Sequence, residues 1–210
     1  AATRRLALSS VDAYETSEGD SSALLPMKGI KEVQRIIGSL SPDSEVEILF
    51  DDAQFYFRSE GVEFAVRRVE SRFPPYEKIL PKGHTTTIAA DRGDLISALD
   101  RVDIIVRDFN RMVVLDVAPG ENLVMHGKAP DFGQAQEEVG AEVTGEKLRI
   151  AVNSKFFMDA LKVLREPSVR LAFNGAGGHM AVRHPDDDGF LCLIAPINLS
   201  EEELNSGKEE

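Results

Sequence analysis

Amphipathic helical stretches begin near Lys28, Asp91 and Asn153, roughly sixty residues apart, and each is followed by short runs in which apolar and polar residues alternate. This recurrence restricts the possible folds more than any other feature. From Pro26, a residue suited to a first helical turn, Ile30, Val33, Ile37 and Leu40 return at spacings of three and four until Gly38 and Pro42 end the helix. Val46, Ile48 and Phe50, then Phe55 and Phe57, then Val62, Phe64 and Val66 alternate with period two, parted by tight turns at Asp51-Asp52 and Glu60-Gly61. The same order returns as a strand at 86–89, a helix over about 93–102 with Leu95, Leu99 and Val102 on one face, and strands at 112–117, 123–127 and somewhere in 136–143. A third round runs from a strand at 148–152 through a helix with N-cap types at Asn153-Ser154 and a stripe of Phe157, Leu161 and Leu164. It ends in strands at 169–173, 179–183 and 190–194. A leading strand at 23–25 would complete the first round. One helix to four strands lets helices cover only one side of a sheet layer, so the chain reads as an α+β protein of repeated strand-helix-three-strand units with helices lining one face.

Between the first and second rounds stands RFPPYEKILP, residues 72–81. Its prolines fix φ, remove backbone donors and bias their predecessors away from helix, so the stretch is a joint. Linkers between independent domains are polar and glycine-rich, whereas this one carries Phe73, Tyr76, Ile79 and Leu80, which need apolar neighbours. It reads either as a pinned connector with a surface site built around it or as a hydrophobic loop closing a sheet end.

A formal net charge of -12 over 210 residues speaks against a protein that simply coats nucleic acid or an anionic membrane. Its distribution is uneven. Lys28, Lys31 and Arg35 fall together on the first helix, and Lys155 and Lys162 oppose the apolar stripe of the third, with Asp159 diluting them and Arg165 at the edge. Arg101 on the second helix has Asp94 and Asp100 near it, while Glu137-Glu138, Asp186 to Asp188 and the glutamates after Ser200 fall in loops or at the end. Positive charge thus gathers on helices, either as ordinary solvated faces or as an aligned basic surface.

Cys192 is the sole cysteine, which excludes an internal disulfide and fits a reducing, cytoplasmic setting. No apolar run approaches the ~20 residues of a membrane span, and no signal-peptide pattern opens the chain. The first residues, without Met, already form a strand at Leu6-Ala7-Leu8, so a C-terminal portion of a longer protein is expected. Residues 14–22 read as a loop and 200–210 as an acidic disordered tail.

Catalytic and metal motifs are weak. His179 and His184 with Asp186 to Asp188 match no zinc spacing, and Asn174-Gly-Ala-Gly-Gly178 opens into a strand without the Lys-Ser/Thr of a phosphate loop. Cys192 lies in an apolar strand, and no G-x-S-x-G occurs. Nothing assembles an acid, a base and a nucleophile, so neither an enzyme nor a cofactor protein is expected.

With the joint and the rounds together, the chain resembles the bacterial DNA polymerase III beta subunit, the replicative sliding clamp. The resemblance is carried by TRRLALS at 3–9, RFPPYEKILP at 72–81, NRMVVLDV at 110–117, VNSKFFMDAL at 152–161 and LIAPINL at 193–199, in the family's order and over nearly the whole chain before Ser200. It implies a DNA-clamp fold in which residues 1–73 are the later part of a middle domain, 74–199 a third domain and 200–210 a tail. Family subunits close head to tail into a ring around duplex DNA, which implies a sequence-independent DNA contact, a second clamp subunit as partner in the full-length protein, and no membrane role. Lys28, Lys31, Arg35, Lys155, Lys162 and Arg165 are the candidates for the DNA-facing lining.

The resemblance also implies a groove between the middle and third domains for short motifs of DNA polymerase, clamp loader and repair proteins. By motif it would comprise Arg5 and Leu6; Pro74, Lys78 and Ile79; Asn153 and Phe156; and Ile194, Ala195, Pro196, Ile197, Asn198 and Leu199. Helical spacing puts Phe156 on the shoulder of its helix, either a lid on the sheet edge or an anchor for a ligand, and the resemblance favours the anchor. Family members often carry Tyr at Phe156, Met near Ala195 or Ile197 and Arg at Asn198; these departures bear on the depth and peptide preference of the groove and not on its existence. The ring contact maps to Ile104 and Ile105, of which a strand would turn one into the core. The alternative from another class is a sheet-rich peptide-binding adaptor without a DNA role, which needs no aligned cations on its helices.

Overall fold

A computed structural model describes residues 4–12, 22–185 and 189–200 of the chain; the expected acidic tail beyond Ser200 and Asp186 to Asp188 lie outside the described residues. Two compact units divide them, one drawn from Ala13–Leu80 and the other from Ala1–Asp12 together with Pro81–Glu210. The break between units falls inside the proline stretch, and the N-terminal strand belongs with the later unit. The first strand pairs with the last strand of the chain, Arg5 opposite Ile194, and this pairing groups its contacts with the later unit.

In the unit of Ala13–Leu80, α1 (Met27–Ile37) packs on an antiparallel sheet of β2 (Glu47–Phe50), β3 (Gln54–Ser59) and β4 (Val62–Arg67). Phe55 and Phe57 are buried on alternate positions of β3, as period two requires. The helix, however, is rotated from the expected stripe. Gly29 and Ile36 are its buried residues, whereas Ile30 is 43% and Ile37 50% exposed. Gly29 favours the rotation, since a Cβ there would stand 3.0 Å from a Val66 methyl, and the missing side chain lets the helix approach along that line without displacing Val66. Residues 23–25 do not form the expected strand; a bond from Val69 N–H to the Leu24 carbonyl (2.8 Å) and the packing of Ala23 and Leu25 on the core of this unit hold them.

The other unit contains β1 (Arg5–Ser9), β5 (Thr86–Asp91), α2 (Arg92–Val106), β6 (Met112–Val117), β7 (Leu123–Ala129), β8 (Gly133–Val139), β9 (Ala141–Gly145), β10 (Leu148–Asn153), α3 (Ser154–Val163), β11 (Ser168–Phe173), β12 (Met180–Arg183) and β13 (Phe190–Ile194). They make a six-stranded sheet in the order β1-β13-β12-β11-β5-β9 and a four-stranded sheet in the order β10-β6-β7-β8, every pairing antiparallel. The two repeated rounds exchange their leading strands. β5 opens the round of β6 to β8 but pairs with β11, and β10 opens the round of β11 to β13 but pairs with β6. Neither round can then bury its sheet without the other, which is why one shared core results.

That core gathers Ile88, Val113, Leu115, Met125, Ile150, Val152, Leu171, Val182 and Ile194 from both sheets against Leu95, Leu99 and Val102 of α2 and Phe157 and Leu161 of α3. α2 packs tightly on β7 at Gly127, where a Cβ would lie 2.6 Å from one Val102 methyl and 2.9 Å from one of Val106. Side chains cap both helices. The Asp91 carboxylate accepts from Asp94 N–H (2.9 Å), and the Asn153 side-chain carbonyl accepts from Phe156 N–H (3.2 Å).

Two expectations are corrected here. The single strand within 136–143 is two strands, β8 and β9, parted at Gly140, and they join different sheets. The second helix runs on to Val106, because Leu95, Leu99, Val102 and Val106 continue one apolar stripe and no breaker intervenes, so Ile104 and Ile105 are helical and not in a strand.

Candidate partner seam and basic helix faces

β1 is the outer strand of the six-stranded sheet, with Arg5 opposite Ile194 and Leu6 opposite Leu193. Adjacent residues of a strand face opposite ways, so Leu6 is buried on one side while Arg5 reaches over the other. There its guanidinium donates to Asp159 at 2.7 Å and lies 4.8 Å from the centroid of the Phe156 ring. Burial alone would raise the Asp159 carboxyl, but hydrogen bonds from Arg5 and Lys155 and their charges hold it below its ordinary value. The Asn153 cap sets the first turn of α3 and with it the position of Phe156, half-buried against the core margin.

After β13 the chain is tied on both sides. Ala195 N–H donates to the Arg4 carbonyl (2.9 Å), and Ile197 N–H donates to the Ala151 carbonyl (2.8 Å) on β10, itself the open edge of the four-stranded sheet. Ile194 is buried, Ala195, Pro196, Ile197 and Leu199 are half-buried, and Asn198 is exposed. Arg5, Asn153, Phe156 and the start of the 194–199 segment thus meet along one seam within the later unit, while Leu6 is buried on the opposite face of β1. Pro74, Lys78 and Ile79 belong to the other unit, around a 3₁₀ turn (Tyr76–Lys78) that closes with Ile79 N–H on the Tyr76 carbonyl at 3.0 Å. Phe73 meets Tyr76 edge to face at 5.9 Å, and Ile79 is 44% exposed. Sequence reasoning missed the partner of Arg5, since Asp159 lies 154 positions away; the only signal was an acidic residue interrupting the basic face of α3.

All six lining candidates, Lys28, Lys31, Arg35, Lys155, Lys162 and Arg165, are exposed. Arg35 pairs with Glu32 (2.6 Å), and Lys155 with Asp159 (3.2 Å). Lys28, Lys31, Lys162 and Arg165 make no ion pair among the described residues. α1 carries its cations on one unit and α3 on the other. Arg101 of α2 is held by Glu137 of β8 at 2.6 Å.

Ile104 is 55% exposed in the last turn of α2, with Ile105 half-buried beside it. Phe109, 57% exposed just past the helix, is a large apolar neighbour that sequence reasoning did not single out. The Ser154 hydroxyl at the start of α3 donates to Asp103 at the end of α2, joining the two helix termini.

The His126–Asp116–Arg149 cluster was also not anticipated. Asp116 accepts from His126 Nε2 and from Arg149 Nη1, each at 2.7 Å, through pairing of β6 with β7 and β10. Burial pushes the Asp116 carboxyl up, yet the His126 hydrogen bond and the Arg149 charge outweigh it and the net shift is downward. Burial raises the Cys192 thiol, so it is protonated and unreactive near neutrality. Among the described residues no group of His, Cys, Asp and Glu is arranged to hold a metal ion.

Comparison with known proteins places these features in a family. Residues 1–75 match the family model for the DNA polymerase III beta subunit, central domain, and residues 77–198 match that for its C-terminal domain. The beta sliding clamp of Staphylococcus epidermidis is 29% identical over 196 residues, covering 93% of this chain and 51% of that protein. The beta sliding clamp of Bacillus subtilis is 28% identical over 198 residues, covering 93% of this chain and 52% of that protein. The chain therefore spans about half the length of the curated relatives it matches. Among solved structures, the DNA polymerase III beta subunit of Thermotoga maritima superposes with a TM-score of 0.86 at 27% identity, over 94% of this chain and 53% of that one. A Pseudomonas aeruginosa sliding clamp bound to griselimycin gives 0.87 at 28% identity, over 93% of this chain and 52% of that one. The α+β fold with exchanged leading strands is thus the DNA-clamp fold, and this chain belongs to the DNA polymerase III beta subunit family.

Proposed function

We propose that this chain is the central and C-terminal portion of a DNA sliding clamp, which in its full-length form encircles duplex DNA without sequence preference and tethers polymerase, clamp loader and repair proteins. The role is one of enclosure and tethering, not of catalysis. The reading is carried by the tandem match to the central and C-terminal domain models over nearly the whole chain. In it, the seam of Arg5, Asn153, Phe156 and the 194–199 segment receives an extended hydrophobic peptide, for which the Phe156 ring and the half-buried Ala195, Ile197 and Leu199 offer apolar contact; for Leu6 the assignment rests on the TRRLALS motif alone. For Pro74, Lys78 and Ile79 the assignment to a partner surface rests on the PPYEKILP motif alone. Lys28, Lys31, Arg35, Lys155, Lys162 and Arg165 line the DNA side, and the net charge of -12 disfavours attachment elsewhere. Ile104 and Ile105, joined by Phe109, form this chain's share of the contact with a second subunit.

Griselimycin, bound in the related Pseudomonas clamp, is the direct probe. Saturable binding to this chain, weakened at least about tenfold by Phe156→Ala with the fold retained by circular dichroism, is the expected result. Equal affinity for the variant and the parent chain would remove the seam assignment. Binding without any retention of the full-length protein on circular DNA would leave a peptide-binding adaptor in place of a clamp.

A further inference from the structure

Register on the six-stranded sheet brings Arg183, Arg170, Ala89 and Glu142 into one row across β12, β11, β5 and β9, and Ala181, Ala172, Thr87 and Thr144 into the next. Ile88, Leu171 and Val182, at alternate positions, face the core, so both rows lie on the opposite, outer face. Arg170 and Arg183 stand opposite each other across a rung, and both line a hollow with Ala89 and Ala172 beside them. The hollow is about 590 Å³, with His84 on its lining, within the size range of small-molecule sites. Arg170 makes no ion pair among the described residues. At the far end of the rows stand the Glu142 carboxylate and the hydroxyls of Thr87 and Thr144, which bond each other at 2.7 Å.

Paired guanidiniums suit the oxygens of a phosphate, and a carboxylate acceptor flanked by hydroxyls suits a diol. We propose that this outer groove binds a small phosphomonoester carrying free hydroxyls, of the nucleoside monophosphate class, with its phosphate against Arg170 and Arg183 and its hydroxyls against Glu142. The site shares no residue with the partner seam or the basic helix faces, and the proposal is independent of the clamp reading. Glu142 in the same row offers the two arginines a carboxylate that competes with the phosphate. The affinity is accordingly weak, with Kd on the order of 0.1–1 mM. Burial, and after it the Arg183 charge, push the His84 imidazole below its ordinary value, so its resonance reports an arriving dianion by titrating at higher pH.

The test is an NMR titration of this chain at low ionic strength with adenosine 5′-monophosphate, inorganic phosphate and adenosine, following the His84 ring and the arginine side chains. The expected result is saturation by the nucleotide with an upward shift of the His84 titration, weaker saturation by inorganic phosphate and none by adenosine. Arg170→Gln weakens the nucleotide and inorganic phosphate alike, by about tenfold for one lost charge-assisted contact. Glu142→Gln weakens the nucleotide but not inorganic phosphate. No response to the nucleotide up to about 10 mM, or Arg170→Gln titrating like the parent, overturns the site. A nucleotide no tighter than inorganic phosphate overturns the ligand class.

Discussion

The Arg5 guanidinium caps the Phe156 ring at 4.8 Å while bonding Asp159 at 2.7 Å, so one arginine of the N-terminal edge strand fixes both the aromatic shoulder of α3 and its acidic neighbour. The two readings of Phe156 from spacing alone, lid or anchor, are therefore not exclusive. One part of the ring meets the core margin and Arg5 lies over a face of it, so a peptide seated here would contact the ring beside the guanidinium.

Arg5→Ala removes a cation–π contact and an ion pair whose side chains are 39% and 37% exposed. After allowance for solvent screening, the expected loss is about 0.5–1 kcal/mol, read as a small drop in urea midpoint. Arg5→Lys should recover the ion pair but only part of the stacking, so its midpoint falls between the two. A midpoint for Arg5→Ala equal to that of the parent would mean that the cation contributes nothing to holding α3.

Gly127→Ala puts a methyl where Val102 and Val106 of α2 already stand, at 2.6 and 2.9 Å. Overpacking of this kind costs about 1–3 kcal/mol, because α2 must lift from β7 along its length. The matched variant Gly127→Ala with Val102→Ala should regain part of the loss in urea denaturation. An equal loss in both variants would place the strain in the backbone of β7 and not against the helix.

These two sites also show which parts of the fold could be read in advance. Strands β3 and β4 and the start of α3 follow from local period-two and period-3.6 patterns, each settled within a few residues of chain. The rotation of α1 escaped that reading because Gly29 carries no hydrophobic weight, although its missing side chain is what lets the helix sit against Val66. Strand exchange was equally hidden. A pattern shows that Thr86–Asp91 and Leu148–Asn153 are strands, but which neighbour each one joins depends on pairing with residues far along the chain. Of the seam, the motifs supplied the residues, while the clasp of Arg5 on Asp159 needed the folded geometry.

Acid should weaken the later unit partly through Asp116. Its carboxyl titrates below the ordinary 3.8 in the folded chain, because the His126 bond and the Arg149 charge exceed the effect of burial. A depressed folded value adds stability that is present above the unfolded value and is lost as pH falls through the folded one. Asp116→Asn should therefore be less stable than the parent at pH about 7, and the gap should close as pH falls below about 4. Urea midpoints taken across that range are the check, and a gap that stays constant with pH would assign the loss to packing instead.

The basic faces make the last prediction, for the full-length protein. Arg35 and Lys155 already have acidic partners, whereas Lys28, Lys31, Lys162 and Arg165 make no ion pair among the described residues; the three lysines, which lie within α1 and α3, are the ones to replace. Each lysine that displaces a counterion from duplex DNA contributes a slope of about 0.9 in log K against log salt. Replacing all three by Gln should thus flatten the salt dependence by up to about 2.7 and shorten retention on nicked circular DNA at low salt. Arg35→Gln, which removes a cation already neutralised by Glu32, should do less and serves as the internal comparison. A triple variant whose slope and retention match those of the parent would show that these helices do not face the duplex.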